Sequence, residues 1–139
     1  MTKSKYGNKQ VEIDGHVFHS QIEARYYEQV KWLLATGEIL SFKLQPRYLL
    51  QESFKKDGMN HRKIEYVADF EIQHIDKTIE VVDIKGFETT DFAIKKKLFE
   101  YKYPHKLSLL TYSKIDGGWV SLTNLKKNRK LRKKAKENK

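Results

Sequence analysis

Two runs of alternating apolar and polar residues, 63–75 and 78–85, stand back to back with only Asp76-Lys77 between them. No other feature limits the possible fold so tightly. Side chains on a strand alternate between faces with a period of two, so a connection this short predicts an antiparallel pair. In the first run Tyr66, Ala68, Phe70 and Ile72 form an apolar side, and Glu65, Val67, Asp69 and Glu71 fall on the other. In the second, Ile79, Val81, Asp83 and Lys85 share a side, and Gly86 ends the run. Paired as a hairpin, the two strands can set Asp69 beside Asp83, with Lys85 pointing the same way.

The rest of the chain supplies elements to surround that pair. Asp14-Gly15, flanked by Val11-Glu12-Ile13 and His16-Val17-Phe18, predicts a small hairpin. Ser20, with Glu23 three residues on, opens a helix in the manner of a capping box. It is predicted to run to about Ala35, where Thr36-Gly37 stops it. Residues 39–44 and 48–54 read as strands, and 55–60, holding Asp57-Gly58, as a turn or loop. A basic helix is predicted over 91–101, carrying Phe92, Ile94, Leu98 and Phe99. Residues 107–112 make a last core strand, Gly117-Gly118 breaks the chain, and a helix starts at Ser121. This order predicts an α/β or α+β fold, a sheet flanked by helices. It divides into a core over 1–113 and a basic C-terminal helix or tail over 114–139.

Charge narrows the function classes. Nine basic residues lie between Lys126 and Lys139, opposed by Glu137 alone, so this tail carries +8 of the chain's +10. Such a tail suits a polyanion, because each phosphate it neutralises releases condensed counterions. The plain alternative is a solvated, frayed helix that aids solubility. An anionic membrane surface fits less well, since the tail has only Leu131 and Ala135 as apolar residues after Leu125. The chain has no cysteine, which excludes a disulfide scaffold, a thiolate nucleophile and a cysteine zinc site. Residues 1–10 lack the apolar stretch of a secretory signal, and no run approaches the ~20 apolar residues of a membrane span. A soluble protein is expected.

Chemistry is expected at the acids. Two carboxylates held close repel unless one is protonated or a cation joins them, and hard oxygen donors suit Mg²⁺. On the first helix Ile22, Tyr26, Val30, Leu33 and Leu34 span an arc of roughly 120°, and Glu23 falls inside it. Glu23 is therefore expected to face the body of the protein, as a third carboxylate or simply as part of the cap. Lys85 has a plain reading too, an ion pair with Asp83. The five histidines show no metal-ligand spacing. Gln45-Pro46 reads as a strand end or as a glutamine that holds a water near the acids.

The ordered set of helix Glu23, Asp69, Asp83-Ile84-Lys85, Gly86 and a basic helix resembles the PD-(D/E)XK nuclease superfamily. Ala68-Asp69 stands for its Pro-Asp pair and Asp83-Ile84-Lys85 for its (D/E)-X-K. More closely, the chain is similar to small phage-type endonucleases that cut branched DNA. The likeness lies in Phe18-His19-Ser20-Gln21-Ile22-Glu23, Asp69-Phe70, Lys85-Gly86 and the lysines Lys95, Lys96 and Lys97. From about Tyr6 to Tyr112 it also resembles an uncharacterised prophage-encoded family placed in that superfamily. Ala68 and Asp83 depart from the proline and the glutamate found there. The resemblance implies a restriction-endonuclease-like mixed sheet and a Mg²⁺-dependent endonuclease, with Mn²⁺ as a substitute. It implies that Asp69, Asp83, the Ile84 carbonyl and Glu23 hold the metal, with Lys85 beside the attacking water, and that 5′-phosphate ends result. DNA contacts are expected from Lys95, Lys96, Lys97, Lys126, Lys127, Arg129, Lys130, Arg132, Lys133 and Lys134. Branched DNA such as a four-way junction, a homodimer, and the cytoplasm of a bacterial host follow from the same likeness. The alternatives are a less selective phage nuclease or nickase, a non-catalytic DNA-binding module, and an RNA-associated basic protein.

Overall fold

Asp76-Lys77 forms the tight turn that the alternation requires. Asp76 Oδ1 accepts from the Thr78 N–H at 3.0 Å and from its hydroxyl at 2.6 Å, while Lys77 adopts φ 71°. The computed structural model describes residues 9–138. In chain order the elements are β1 (Val11–Ile13), β2 (His16–Phe18), α1 (Gln21–Ala35), β3 (Ile39–Leu44), β4 (Arg47–Gln51), β5 (Phe54–Lys56) and β6 (Met59–His61). There follow β7 (Ile64–Val67), β8 (Phe70–His74), β9 (Ile79–Ile84), α2 (Thr90–Lys102), β10 (Lys106–Ser113), β11 (Gly118–Ser121) and α3 (Leu122–Glu137).

The central sheet has the order β11-β10-β9-β8-β3. β9 and β10 run parallel, joined through α2, and the other neighbours are antiparallel. The fold is α+β with a mixed sheet. β9 lies at its centre, and its apolar run covers both faces, as a doubly covered strand must. Val82 packs with Phe70, Ile72 and the α1 residues Ala24, Tyr26, Tyr27 and Val30. Val81 packs on the other side with Phe92 and Phe99 of α2, Leu122 and Leu125 of α3, and Tyr48 and Tyr66. Phe99 is wholly buried, so its truncation to alanine is expected to cost about 3–5 kcal/mol.

Residues 39–74 form one long, bent antiparallel ribbon. Leu44 pairs with Phe70 and Arg47 with Val67, so the register is unbroken across Gln45-Pro46 and Ala68-Asp69. The run 63–75 is therefore not one continuous strand as expected; it breaks at Ala68-Asp69 into β7 and β8. Pro46 has no N–H to donate and Gln45 sits at φ 49°, which bends the ribbon there. Two backbone bonds hold the bend, Gln45 N–H to the Asp69 carbonyl (3.0 Å) and Ala68 N–H to the Pro46 carbonyl (3.1 Å). The bend carries β4 and β7 onto the α2 side of the sheet. Tyr66 and Ala68 consequently join the α2-side core, while Phe70 and Ile72 belong to the α1-side core.

Other differences from the sequence reading have local causes. Residues 54–61, read as a strand end and loop, form a β5–β6 hairpin turning on Asp57 (φ 51°) and Gly58 (φ 75°). α1 keeps its expected ends, but Ile22 and Leu34 are exposed and Ala24 and Tyr27 take their place in the core. α2 begins at Thr90, capped by the Thr89 hydroxyl, and it leaves Ile94 and Leu98 exposed. The basic C-terminal stretch 114–139 begins with a strand and a helix that meet the rest of the fold. β11 pairs with β10, and Leu122 and Leu125 are buried. Among the described residues no helix is long and apolar enough to cross a membrane.

Candidate active site

The site forms where the bent ribbon leaves β9. Phe70 pairs with Val82, and one further step of that register sets Asp69 opposite Asp83. Beyond that point β9 has lost its strand partner on this side. The Asp69 carboxylate takes the partner's place, its Oδ2 accepting from the Ile84 N–H at 2.8 Å. On the other side the Lys85 N–H donates to the Leu110 carbonyl of β10 at 3.0 Å. Asp69 thus sits in an irregular stretch, with its side chain doing a backbone's work.

Asp83 is 4% exposed. Its Oδ2 accepts from the Tyr66 hydroxyl at 2.6 Å and lies 3.4 Å from Lys85 Nζ. That ammonium also stands 4.6 Å from the centroid of the Phe92 ring, which steers it over the α2 face. Burial, and then a hydrogen-bond contact and charge repulsion with Asp83, push the Asp69 carboxyl up to about 8. Asp69 therefore holds its proton at neutral pH. Burial and the Asp83 charge also raise the Tyr66 hydroxyl, which keeps it a hydrogen-bond donor.

Glu23 approaches from α1 and shares a cavity of about 190 Å³ with Phe18, Leu44, Gln45 and Asp69. Its carboxyl is raised by burial, a rise partly offset by the His19 N–H, and the charge of Asp83 adds to it. The cap itself rests on Ser20, whose hydroxyl accepts from the Glu23 N–H at 3.1 Å. The Glu23 carboxylate makes only a long 3.4 Å contact with the His19 N–H. It is thus largely free of the cap. Among the described residues, no group of three or more His, Asp or Glu side chains converges closely enough to hold a metal ion by itself. Asp69 and Asp83 are the two that meet.

Tyr66 is the residue that the sequence pattern hid. Strict alternation puts it on the opposite side from Asp69, and the bend returns it to the Asp83 face. Gln45 lines the Glu23 cavity, and its bond into the bend comes from its backbone N–H. A wider cleft, about 1130 Å³, lies at the far end of β8 and β9, around His74, Asp76, Glu80 and His105, away from the paired acids.

The basic residues divide. Lys95 is 4.0 Å from Asp91, and Lys97 is exposed on α2. On α3 Lys126, Lys127, Arg129, Lys130, Lys133 and Lys134 are exposed. Arg132, also expected at the DNA, is partly exposed and paired with Asp116. Asn128 and Ser113 also donate to Asp116. Led by the Arg132 bond, these contacts hold the Asp116 carboxyl below its ordinary range and lock the direction of α3.

Fold and site together define an α+β domain with a buried Asp83 beside a half-buried Asp69, a lysine and a tyrosine at a sheet bend, together with a strongly basic helix. The chain belongs to the family described as "Protein of unknown function (DUF1064)", which it matches over residues 3–133. No curated protein matches it.

Proposed function

We propose that this chain is a divalent-metal-dependent DNA endonuclease of the PD-(D/E)XK type, with a restriction-endonuclease-like arrangement of its sheet. The observation that carries the proposal is the pairing of Asp69 with Asp83 at the strand divergence, with Lys85 3.4 Å from Asp83. The donor set suits Mg²⁺, or Mn²⁺ in its place. That ion is commonly bound through one or two carboxylates and keeps several waters, so three converging protein ligands are not required. A cation would also offset the burial and the Asp83 charge that raise the Asp69 carboxyl. Asp69, Asp83 and the Ile84 carbonyl would hold the ion, with Glu23 adding charge from the adjoining cavity. Bound there, it supplies charge neutralisation at the scissile phosphate and acidifies a water.

The chain's own residues do the rest. Lys85 presents an ammonium beside the acids, placed to orient a water and to offset charge growing on the phosphate in the transition state. Tyr66 fixes the Asp83 rotamer. The exposed lysines of α2 and α3 hold the DNA backbone. The preferred substrate is branched DNA cut by a homodimer, in the cytoplasm of a bacterial host and of phage or prophage origin.

One observation favours a second reading. Asp83 is already satisfied by Tyr66 and Lys85, as a purely structural acid in a DNA-binding module would be. Cleavage of a labelled four-way junction and its matched linear duplex, with Mg²⁺ or EDTA, by wild type and Asp83→Ala separates them. Metal-dependent, symmetric junction cuts that vanish in the variant are expected. Equal cutting of both substrates retains the nuclease without junction selectivity. Intact binding with no cutting under any metal selects the binding module.

A further inference from the structure

The β5–β6 hairpin contributes nothing to the core. Every residue from Gln51 to Ile64 is exposed, including Phe54 and Met59. A two-stranded ribbon that packs on nothing is marginal by itself, so burial does not explain its retention. Its position is set from below. Beyond the register shift at Leu49/Gln51, Gln51 pairs with Ile64 and Phe54 with His61 in one common register. The tip is therefore the outer end of the same ribbon whose bend holds Asp69.

Its chemistry is that of a polyanion contact. Residues 51–64 carry Lys55, Lys56, Arg62 and Lys63 against Glu52 and Asp57, with Lys63 held 3.3 Å from Glu65 and Lys55, Lys56 and Arg62 in no ion pair among the described residues. The pairing Phe54↔His61, Lys55↔Asn60, Lys56↔Met59 puts Phe54, Lys56, Met59 and His61 on one face and Lys55 with Asn60 on the other. Both faces thus carry a cation, as a ribbon lying between two phosphate walls needs. Phe54 and His61 stack at 4.6 Å and 16°, which stiffens the pair. A B-form major groove, about 12 Å wide, admits such a two-stranded ribbon.

Building on the proposed nuclease reading, we infer that the β5–β6 ribbon enters the major groove of the duplex arm next to the cleavage point. From Asp69 to His61 the chain runs eight residues, at most about 26 Å at ~3.3 Å per residue. That upper limit corresponds to no more than about 8 base pairs at ~3.4 Å each. The ribbon would act as a ruler, engaging duplex a fixed distance from the acids.

The test measures duplex and junction binding by fluorescence anisotropy across a salt series, in an Asp83→Asn background that does not cut. The triple change Lys55→Ala, Lys56→Ala, Arg62→Ala is compared with the parent. All three sites are exposed, so folding should survive, and circular dichroism checks it. The expected result is a fall of about 3 in the slope of log K against log salt, from three lost phosphate contacts. Affinity should weaken at least tenfold, and hydroxyl-radical protection within about 8 base pairs of the wild-type cut should disappear. An unchanged slope and footprint overturns the inference even if the wild-type protein cuts DNA. Loss of self-association in Phe54→Ser, Met59→Ser with DNA binding intact also overturns it, since the ribbon then meets protein. A hairpin-dependent slope in a protein that never cuts keeps the ribbon as a duplex contact but overturns its role as a cleavage ruler, together with the nuclease reading.

Discussion

Asp69 Oδ2 lies 2.8 Å from the Ile84 nitrogen and accepts its N–H, in the place where a neighbouring strand would otherwise supply a carbonyl. That substitution exists because the β7–β8 run bends away from β9 at Ala68-Asp69. It places one acid against the backbone of the Asp83-Ile84-Lys85 segment and leaves the Asp83 side chain open to Tyr66 and Lys85. The meeting of two acids and an ammonium is the product of a strand divergence.

Asp83→Asn keeps the size of the side chain and an acceptor for Tyr66 while removing the charge. Metal-dependent cleavage should fall by about 1000-fold, or about 4 kcal/mol of barrier, with DNA affinity within a few-fold of wild type. Single-turnover cleavage and anisotropy read the two. Retained cutting would place the chemistry elsewhere.

Stability should respond to pH through Asp69. Its carboxyl rises on folding from 3.8 to about 8, so the folded state holds a proton that the unfolded chain has released. The resulting stabilisation is fully present below the unfolded value and is lost as pH rises through the folded one. In EDTA the urea midpoint should therefore decline from about pH 4 to about pH 8, and Asp69→Asn should flatten that decline. A variant with the wild-type slope would show that another group is responsible.

Tyr66→Phe removes one hydroxyl from a buried carboxylate. Hydrogen bonds to charged groups contribute about 1.5–3 kcal/mol, and Lys85 still neutralises Asp83, so a loss near the lower end is expected in urea unfolding. Cleavage should drop, but less than in Asp83→Asn. No change in either would mean that the 2.6 Å contact orders nothing.

Ser20 and Glu23 can be separated by their bonds. Ser20→Ala removes the cap of α1 and should cost about 1 kcal/mol of stability, with cleavage unchanged. Glu23→Gln leaves that cap in place and should raise the Mg²⁺ concentration needed for half-maximal cleavage several-fold. If the two variants behave alike, Glu23 is only part of the helix start.

The α3 anchor gives a fifth contrast. Arg132→Ala should lower thermal stability through Asp116, whereas Lys130→Ala should leave it unchanged and reduce the salt slope of DNA binding by about 1. Equal salt effects from both would return Arg132 to the DNA-facing set.

Much of this protein was legible in its residues because local physics decides it. The alternation of 79–85, the Asp76-Lys77 turn, the Ser20 cap and the Gly37 stop are short-range effects, and each appears where its residue types demand. The two-residue connection also ties the register of β8 to β9, which brings Asp69 to Asp83. What the pattern could not carry was a change of face. A period of two assumes a continuous strand, and the bend at Gln45-Pro46 and Ala68-Asp69 breaks that assumption through contacts between segments more than 20 residues apart. Only in three dimensions does Tyr66 reach Asp83, does Arg132 turn from solvent to Asp116, and does Gly118–Ser121 find an open edge on β10. Such long-range pairings depend on which surfaces the finished core leaves free, and no window of sequence contains that information.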